Sequence, residues 1–163
     1  MTEQSESVII LVLIVHAKIH RNSGETESIM TRREAREIIF SLVYEADFHR
    51  EGSFAAIYNE AIADRAFEEN DYVRATFFGM EEQLDTLDAM IAAHAVGWKM
   101  ERLSKVSHAI MRLCIYEMLY SDDVPASVAI NEAMELAKIY DHDKAPAFIN
   151  GVVNAIAKEK GLL

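Results

Sequence analysis

The sequence holds a single cysteine, Cys114, so no disulfide can form within the chain and a reducing cytoplasm is its simplest home. That thiol is expected to pack as a small hydrophobe. Long apolar runs are missing as well. The run Val8 to Val15 has eight residues, where a bilayer span needs about 20, so no membrane association is expected. The stretch before it, MTEQSES, is acidic where a secretory signal would be basic, and no small-residue cleavage site follows. Basic charge is scarce: 16 Lys and Arg against 27 Asp and Glu leave a formal net charge of -11. This excludes a protein that grips nucleic acid over its whole surface, because phosphate binding is driven by cations that release counterions. Any RNA site must be local, and the acidic remainder suits a basic protein partner.

Enzyme signatures are also lacking. The chain contains no HExxH, no paired CxxC, no G-x-S-x-G and no Gly-rich phosphate loop. His142 sits between Asp141 and Asp143, but three successive loop residues cannot all converge on one ion. Glu45 and His49, spaced i and i+4, make only half of a carboxylate-bridged di-metal site, which needs matching ligands from other helices. No catalytic residue, metal or cofactor is expected.

What the sequence does have is helical periodicity. Its 163 residues at 51% hydrophobic content are enough for one sizeable core. Residues 1–30 read as a separate extension, with the apolar run either a stray strand or a segment lying on the domain. Met30 followed at once by a helix start suggests a further reading, in which the first 29 residues come from an upstream start and are dispensable. Residues 31–163 read as one helical domain, its pattern broken at Gly97. Thr31-x-x-Glu34 fits a capping box, and Ala35, Ile38, Ile39, Leu42, Val43 and Ala46 give the helix an apolar face, with Gly52 closing the segment. A short helix follows over Phe54 to Arg65. Another begins at Tyr72, with Val73, Phe77, Met80, Leu84, Leu87 and Ile91 on one seam and Glu81, Glu82, Asp85 and Asp88 on a solvated opposite face. Trp98 opens the second half as an apolar anchor. The helix from Glu101 to Tyr120 carries Glu117 on its apolar stripe, where a carboxylate must be paired or neutralised. Pro125 suits the start of the next helix, which reaches Tyr140, and Phe148, Ile149, Val152, Val153 and Ile156 form the core face of the last. Gly151 costs about 1 kcal/mol against alanine inside that helix, which predicts a close helix crossing there. Beside it, Asn150 reads as a core hydrogen-bonder or as an RNA contact.

Arg32, Arg33 and Arg36 occupy the first two turns of the helix that starts at residue 31, at the end of the macrodipole where positive charge is mildly unfavourable. Three cations at that end suggest an anionic ligand. They also fit a solvated basic patch partly offset by Glu34 and Glu37, and spacing alone leaves both open.

The run R-L-(x)n-MR-(x)3-YE, then VP-(x)2-VAINEA-(x)-ELAK, then F-I-N-G-V-V resembles the C-terminal half of the NusB family, and the opening RR-x-AR extends the resemblance to about residues 31–160. The resemblance implies an all-α fold of two small helical bundles packed across each other, with about six to seven helices. It implies a transcription antitermination factor that binds the boxA element of nascent ribosomal RNA transcripts. The family acts together with NusE, a basic small-subunit ribosomal protein, within the RNA polymerase antitermination complex in the cytoplasm, and is a monomer or homodimer in isolation. Carried over by motif, Arg32, Arg33 and Arg36 contact boxA, Tyr44 offers a stacking platform, and Lys144, Phe148 and Asn150 flank the same groove. Contacts to NusE fall on Glu101 and around Ser107, where relatives frequently carry an acidic residue. The other reading of the chain is a helical interaction or self-association module with little RNA affinity.

Overall fold

The computed structural model describes residues 10–15, 17–18, 29–49, 53–65, 67–95, 97 and 103–163, and among these residues every regular element is an α-helix. The expected all-α class is what is found. The chain divides into two compact units, Met1–Phe78 and Gly79–Leu163.

In the first unit, residues 10–15 form a helical stretch, α1, and residues 17–18 are helical too. The described part of the apolar run, residues 10–15, is thus a helix and not a strand. It buries Val15 and Leu11 and turns Ile10, Leu13 and Ile14 outward. The next helix, α2 (Arg32–Ala46), starts with the predicted capping box: Thr31 Oγ1 accepts the Glu34 backbone N–H at 3.2 Å, and the Thr31 backbone N–H donates to Glu34 Oε2 at 2.7 Å. Two N–H groups that the helix cannot satisfy internally are thereby paired. The helix ends at Asp47, and Gly52 lies outside the described residues. A one-sided apolar face was expected for α2, yet every residue from Ala35 to Tyr44 is buried, including Arg36, Glu37 and Ser41. Ser41 is accommodated because its hydroxyl donates to the Ile38 carbonyl at 2.7 Å.

Two further helices follow, the second running past Phe78. Ser53 Oγ accepts the Ala56 N–H at 3.1 Å to start α3 (Phe54–Arg65), and Asn70 Oδ1 accepts the N–H groups of Tyr72 and Val73 to start α4 (Asp71–Glu82). Their contact is aromatic: Phe54 stacks on Phe77 at 4.7 Å between centroids, while Tyr58 lies 5.3 Å from Phe78. Such pairs add about 0.5–1.5 kcal/mol each beyond the area they bury.

The second unit contains α5 (Leu84–His94), α6 (Lys105–Tyr120), α7 (Ala126–Tyr140) and α8 (Ala145–Glu159). Periodicity from Tyr72 to Ile91 predicts one helix, and the structure breaks it at Gln83. The Gln83 N–H is shared between the carbonyls of Gly79 and Met80, both at 3.2 Å, and the Gln83 carbonyl then accepts from Leu87. A one-residue interruption leaves the apolar spacing almost intact, so the pattern cannot reveal it. The helix expected from Glu101 starts instead at Lys105, because Ser104 caps it by accepting the Ser107 N–H at 2.9 Å. Trp98 and Glu101 lie outside the described residues.

The predicted crossing at Gly151 is not there. That residue is exposed and a Cβ on it would meet nothing within 4 Å. The close approach is at Gly79, where a Cβ would overlap the Tyr116 hydroxyl and lie 2.6 Å from its Cζ. At the end of α8, Gly161 adopts φ +70°, and the Leu162 N–H reaches back to the Ala157 carbonyl at 2.9 Å, a left-handed stop that glycine adopts without strain. Glu117 is buried on its stripe. Asp88, expected on a solvated face with Glu81, Glu82 and Asp85, is instead gripped by Arg112.

Candidate nucleic-acid interface

The start of α2 gathers the features of the first unit that would suit an anion. Arg32 and Arg33 are exposed in its first turn, and the helix macrodipole places about half a positive charge at the same end. Arg32 is held in place by a neighbour: its Cζ lies 3.8 Å from the ring centroid of Tyr72, at the start of α4. A guanidinium over an aromatic face keeps its charge and its donors while losing side-chain freedom, which is worth about 0.5–1 kcal/mol at an exposed site. Phosphate oxygens and helix N-termini are natural partners.

Arg36 differs from its two companions. Its residue is only 6% exposed, so its side chain belongs to the interior of the unit. Direct contact with RNA, expected for all three arginines, has an open surface at Arg32 and Arg33 only. Tyr44 is corrected for the same reason. Its ring is buried, 5.1 Å from Phe48 in an edge-on arrangement and 6.3 Å from Phe40, so no base can stack on it in this conformation.

In the second unit, Lys144 is exposed at the N-cap of α8, Phe148 is half-buried, and Asn150 is exposed. Asn150 is not a core hydrogen-bonder; its Oδ1 and backbone carbonyl both face Asn154 Nδ2 at 2.9 Å. Ser107, named as a partner contact, is buried. Its hydroxyl donates to Asp141 Oδ2, and Ser104 Oγ lies 3.0 Å from the same oxygen. Asp141 Oδ1 also accepts the His142 backbone N–H at 2.8 Å. This network ties the end of α7 to the start of α6, so Ser107 serves the fold. Glu101 is outside the described residues.

Sequence reasoning passed over two groups. Tyr72 reads only as the first residue of a helix, and its 40-residue separation from Arg32 carries no signal of their contact. Lys18 lies in the extension, yet its ammonium meets Glu37 of α2 at 2.6 Å. Among the described residues no three His, Cys, Asp or Glu side chains are grouped so that they could hold a metal ion, and no helix is long and apolar enough to cross a membrane.

Comparison with known proteins gives a consistent picture. The sequence profile described as the NusB family matches residues 33–158. The transcription antitermination protein NusB of Bacillus pumilus (strain SAFR-032) is 43% identical over 133 residues, covering 80% of this chain and 97% of that protein. The solved structure of T. maritima NusB superposes with a TM-score of 0.74 at 32% identity, covering 81% of this chain and 94% of that one. A chain from the crystal structure of antitermination factors NusB and NusE in complex with dsRNA shares the fold, with a TM-score of 0.69 at 24% identity over 78% of this chain and 96% of that one.

Proposed function

The chain belongs to the NusB family of transcription antitermination proteins, and on that premise we propose that it holds boxA RNA at the start of α2 while NusE docks on its acidic surface. It works by binding and not by catalysis, in the cytoplasm where bacterial transcription takes place. The observation that supports the site most directly is the exposed pair Arg32 and Arg33 at the positive end of α2, with Arg32 seated on Tyr72. Lys144 and Asn150, exposed at the start of α8, and the half-buried Phe148 are further RNA contacts in this reading. Glu101 is the proposed contact to NusE.

Charge explains why a partner is needed. A chain at -11 presents polyanionic RNA with a small positive patch against a repelling remainder. Its affinity alone is therefore weak and steeply salt-dependent. A basic protein bound nearby neutralises part of that field, so RNA and partner raise each other's affinity by the same factor. The coupling expected is about 1–3 kcal/mol. A gel shift of boxA RNA with this chain alone, NusE alone and the pair tests the reading, backed by calorimetry of NusE binding with and without RNA. A retarded complex that needs both proteins supports it. Equal NusE dissociation constants in the two titrations would refute the cooperative mechanism, and absence of any RNA complex would favour a helical interaction module instead.

A further inference from the structure

The match to the family starts at Arg33, and the residues before it stand outside the profile. One of them nevertheless reaches the candidate site. Lys18 Nζ donates to Glu37 Oε1 at 2.6 Å; the Glu37 side chain is 4% exposed and that of Lys18 is 40% exposed. Three residues before Lys18, Val15 is 2% exposed, so the same segment is fastened by apolar burial as well as by charge.

The position of Glu37 gives the contact its meaning. Glu37 lies four residues after Arg33 and directly after Arg36, on the stretch of α2 that carries the arginines. Residues four apart on a helix are neighbours at about 6 Å between Cβ atoms, well inside the Debye length of about 8 Å at physiological salt. A carboxylate there subtracts from the positive field that Arg33 presents. Because it is buried, mobile counterions screen it poorly, and a charge supplied by the protein does so better.

We propose that the N-terminal segment is part of the RNA-binding apparatus: its Lys18 cancels the charge of Glu37, and so raises the affinity of the start of α2 for RNA. Lys18 acts as a positioning and neutralising residue and need not touch the RNA. The inference rests on the RNA-binding reading above, and it replaces the expectation that the first 29 residues are dispensable.

The test is a titration of labelled boxA RNA, in the presence of NusE, with the full chain and its Lys18→Met, Glu37→Gln and doubly substituted variants. Lys18→Met should weaken binding about threefold at low salt, the scale of one phosphate-equivalent of charge. Glu37→Gln should tighten it. The double variant should return to the wild-type affinity, since neither charge remains. A double variant as weak as Lys18→Met would overturn the proposal and assign the segment a packing role only. Unchanged affinity in every variant, with the wild type binding normally, would overturn it as well. Failure of the wild type itself to bind RNA would overturn the underlying reading, an outcome readily told apart from the other two.

Discussion

Arg112 grips Asp88 with two parallel hydrogen bonds, Nε to Oδ1 at 2.7 Å and Nη2 to Oδ2 at 2.8 Å, joining α6 to α5. His108 Nε2 stands 2.9 Å from Oδ1 as well. Partial burial opposes ionisation of Asp88, but the nearby His108 ring and the paired Arg112 guanidinium outweigh it and hold the carboxyl well below the usual carboxylate range. A group whose folded pKa is depressed stabilises the fold above its unfolded value, about 3.9, and loses that contribution as pH falls through the folded value. Asp88→Asn should therefore cost about 1–2 kcal/mol near neutral pH, a figure kept low because the Asp88 side chain is 35% exposed. Urea denaturation of both proteins should show that gap narrowing below about pH 4. A gap independent of pH would mean that the substitution acts through packing alone.

Gly79 and Gly151, both inside helices, should respond in opposite directions to alanine. Gly151→Ala meets open space and removes a helix-interior glycine, so it should stabilise by about 0.5–1 kcal/mol. Gly79→Ala forces the Tyr116 ring to move and should destabilise by about 1 kcal/mol or more. Thermal melts of the two variants decide this. Recovery of part of the loss in Gly79→Ala with Tyr116→Phe would locate the clash at the phenol.

Arg33 and Arg36 should separate RNA binding from stability. Arg33→Ala should weaken boxA binding and reduce the salt slope by about 0.7–0.9, while its melting temperature stays close to wild type because the side chain is exposed. Arg36→Ala should lower the melting temperature, since this residue is buried. Tyr72→Ala should mimic a modest loss at Arg32, about 0.5–1 kcal/mol, by removing the ring beneath its guanidinium. Equal behaviour of Arg33→Ala and Arg36→Ala in both assays would contradict the assignment.

Ser104 and Asp141 are predicted to matter for the fold. Ser104→Ala removes the N-cap of α6 and should cost about 1 kcal/mol. Asp141→Asn weakens the anchor that receives both serine hydroxyls and should cost a similar amount, about 1 kcal/mol. Chemical denaturation of each variant reads this directly. A stable Asp141→Asn variant would show that the serines cap α6 without help from α7.

Much of this protein is legible in local sequence, because local sequence carries the physics concerned. The Thr31 and Glu34 capping box depends on a three-residue spacing, and it is present as read. Helix Phe54–Arg65 matches its predicted limits, since the start and the apolar positions that define it lie within a few residues of one another. The family motifs likewise sit in contiguous runs. The absence of cationic surplus is a property of composition, and it requires that any RNA site be local.

Tertiary structure decided which of those side chains face solvent. Arg32, Arg33 and Arg36 are equivalent by spacing, but only packing leaves the first two exposed and encloses the third. Tyr44 is enclosed by the same fold, and Gly79 proves to be the glycine that another side chain needs, through Tyr116 far along the chain. Arg32 on Tyr72, Arg112 on Asp88 and Lys18 on Glu37 are likewise pairings between distant positions. Helical periodicity specifies which face of a segment is apolar, but not what arrives against the other faces. Contacts between residues distant in sequence form only when the helices pack, and those contacts set the charge and exposure on which binding depends.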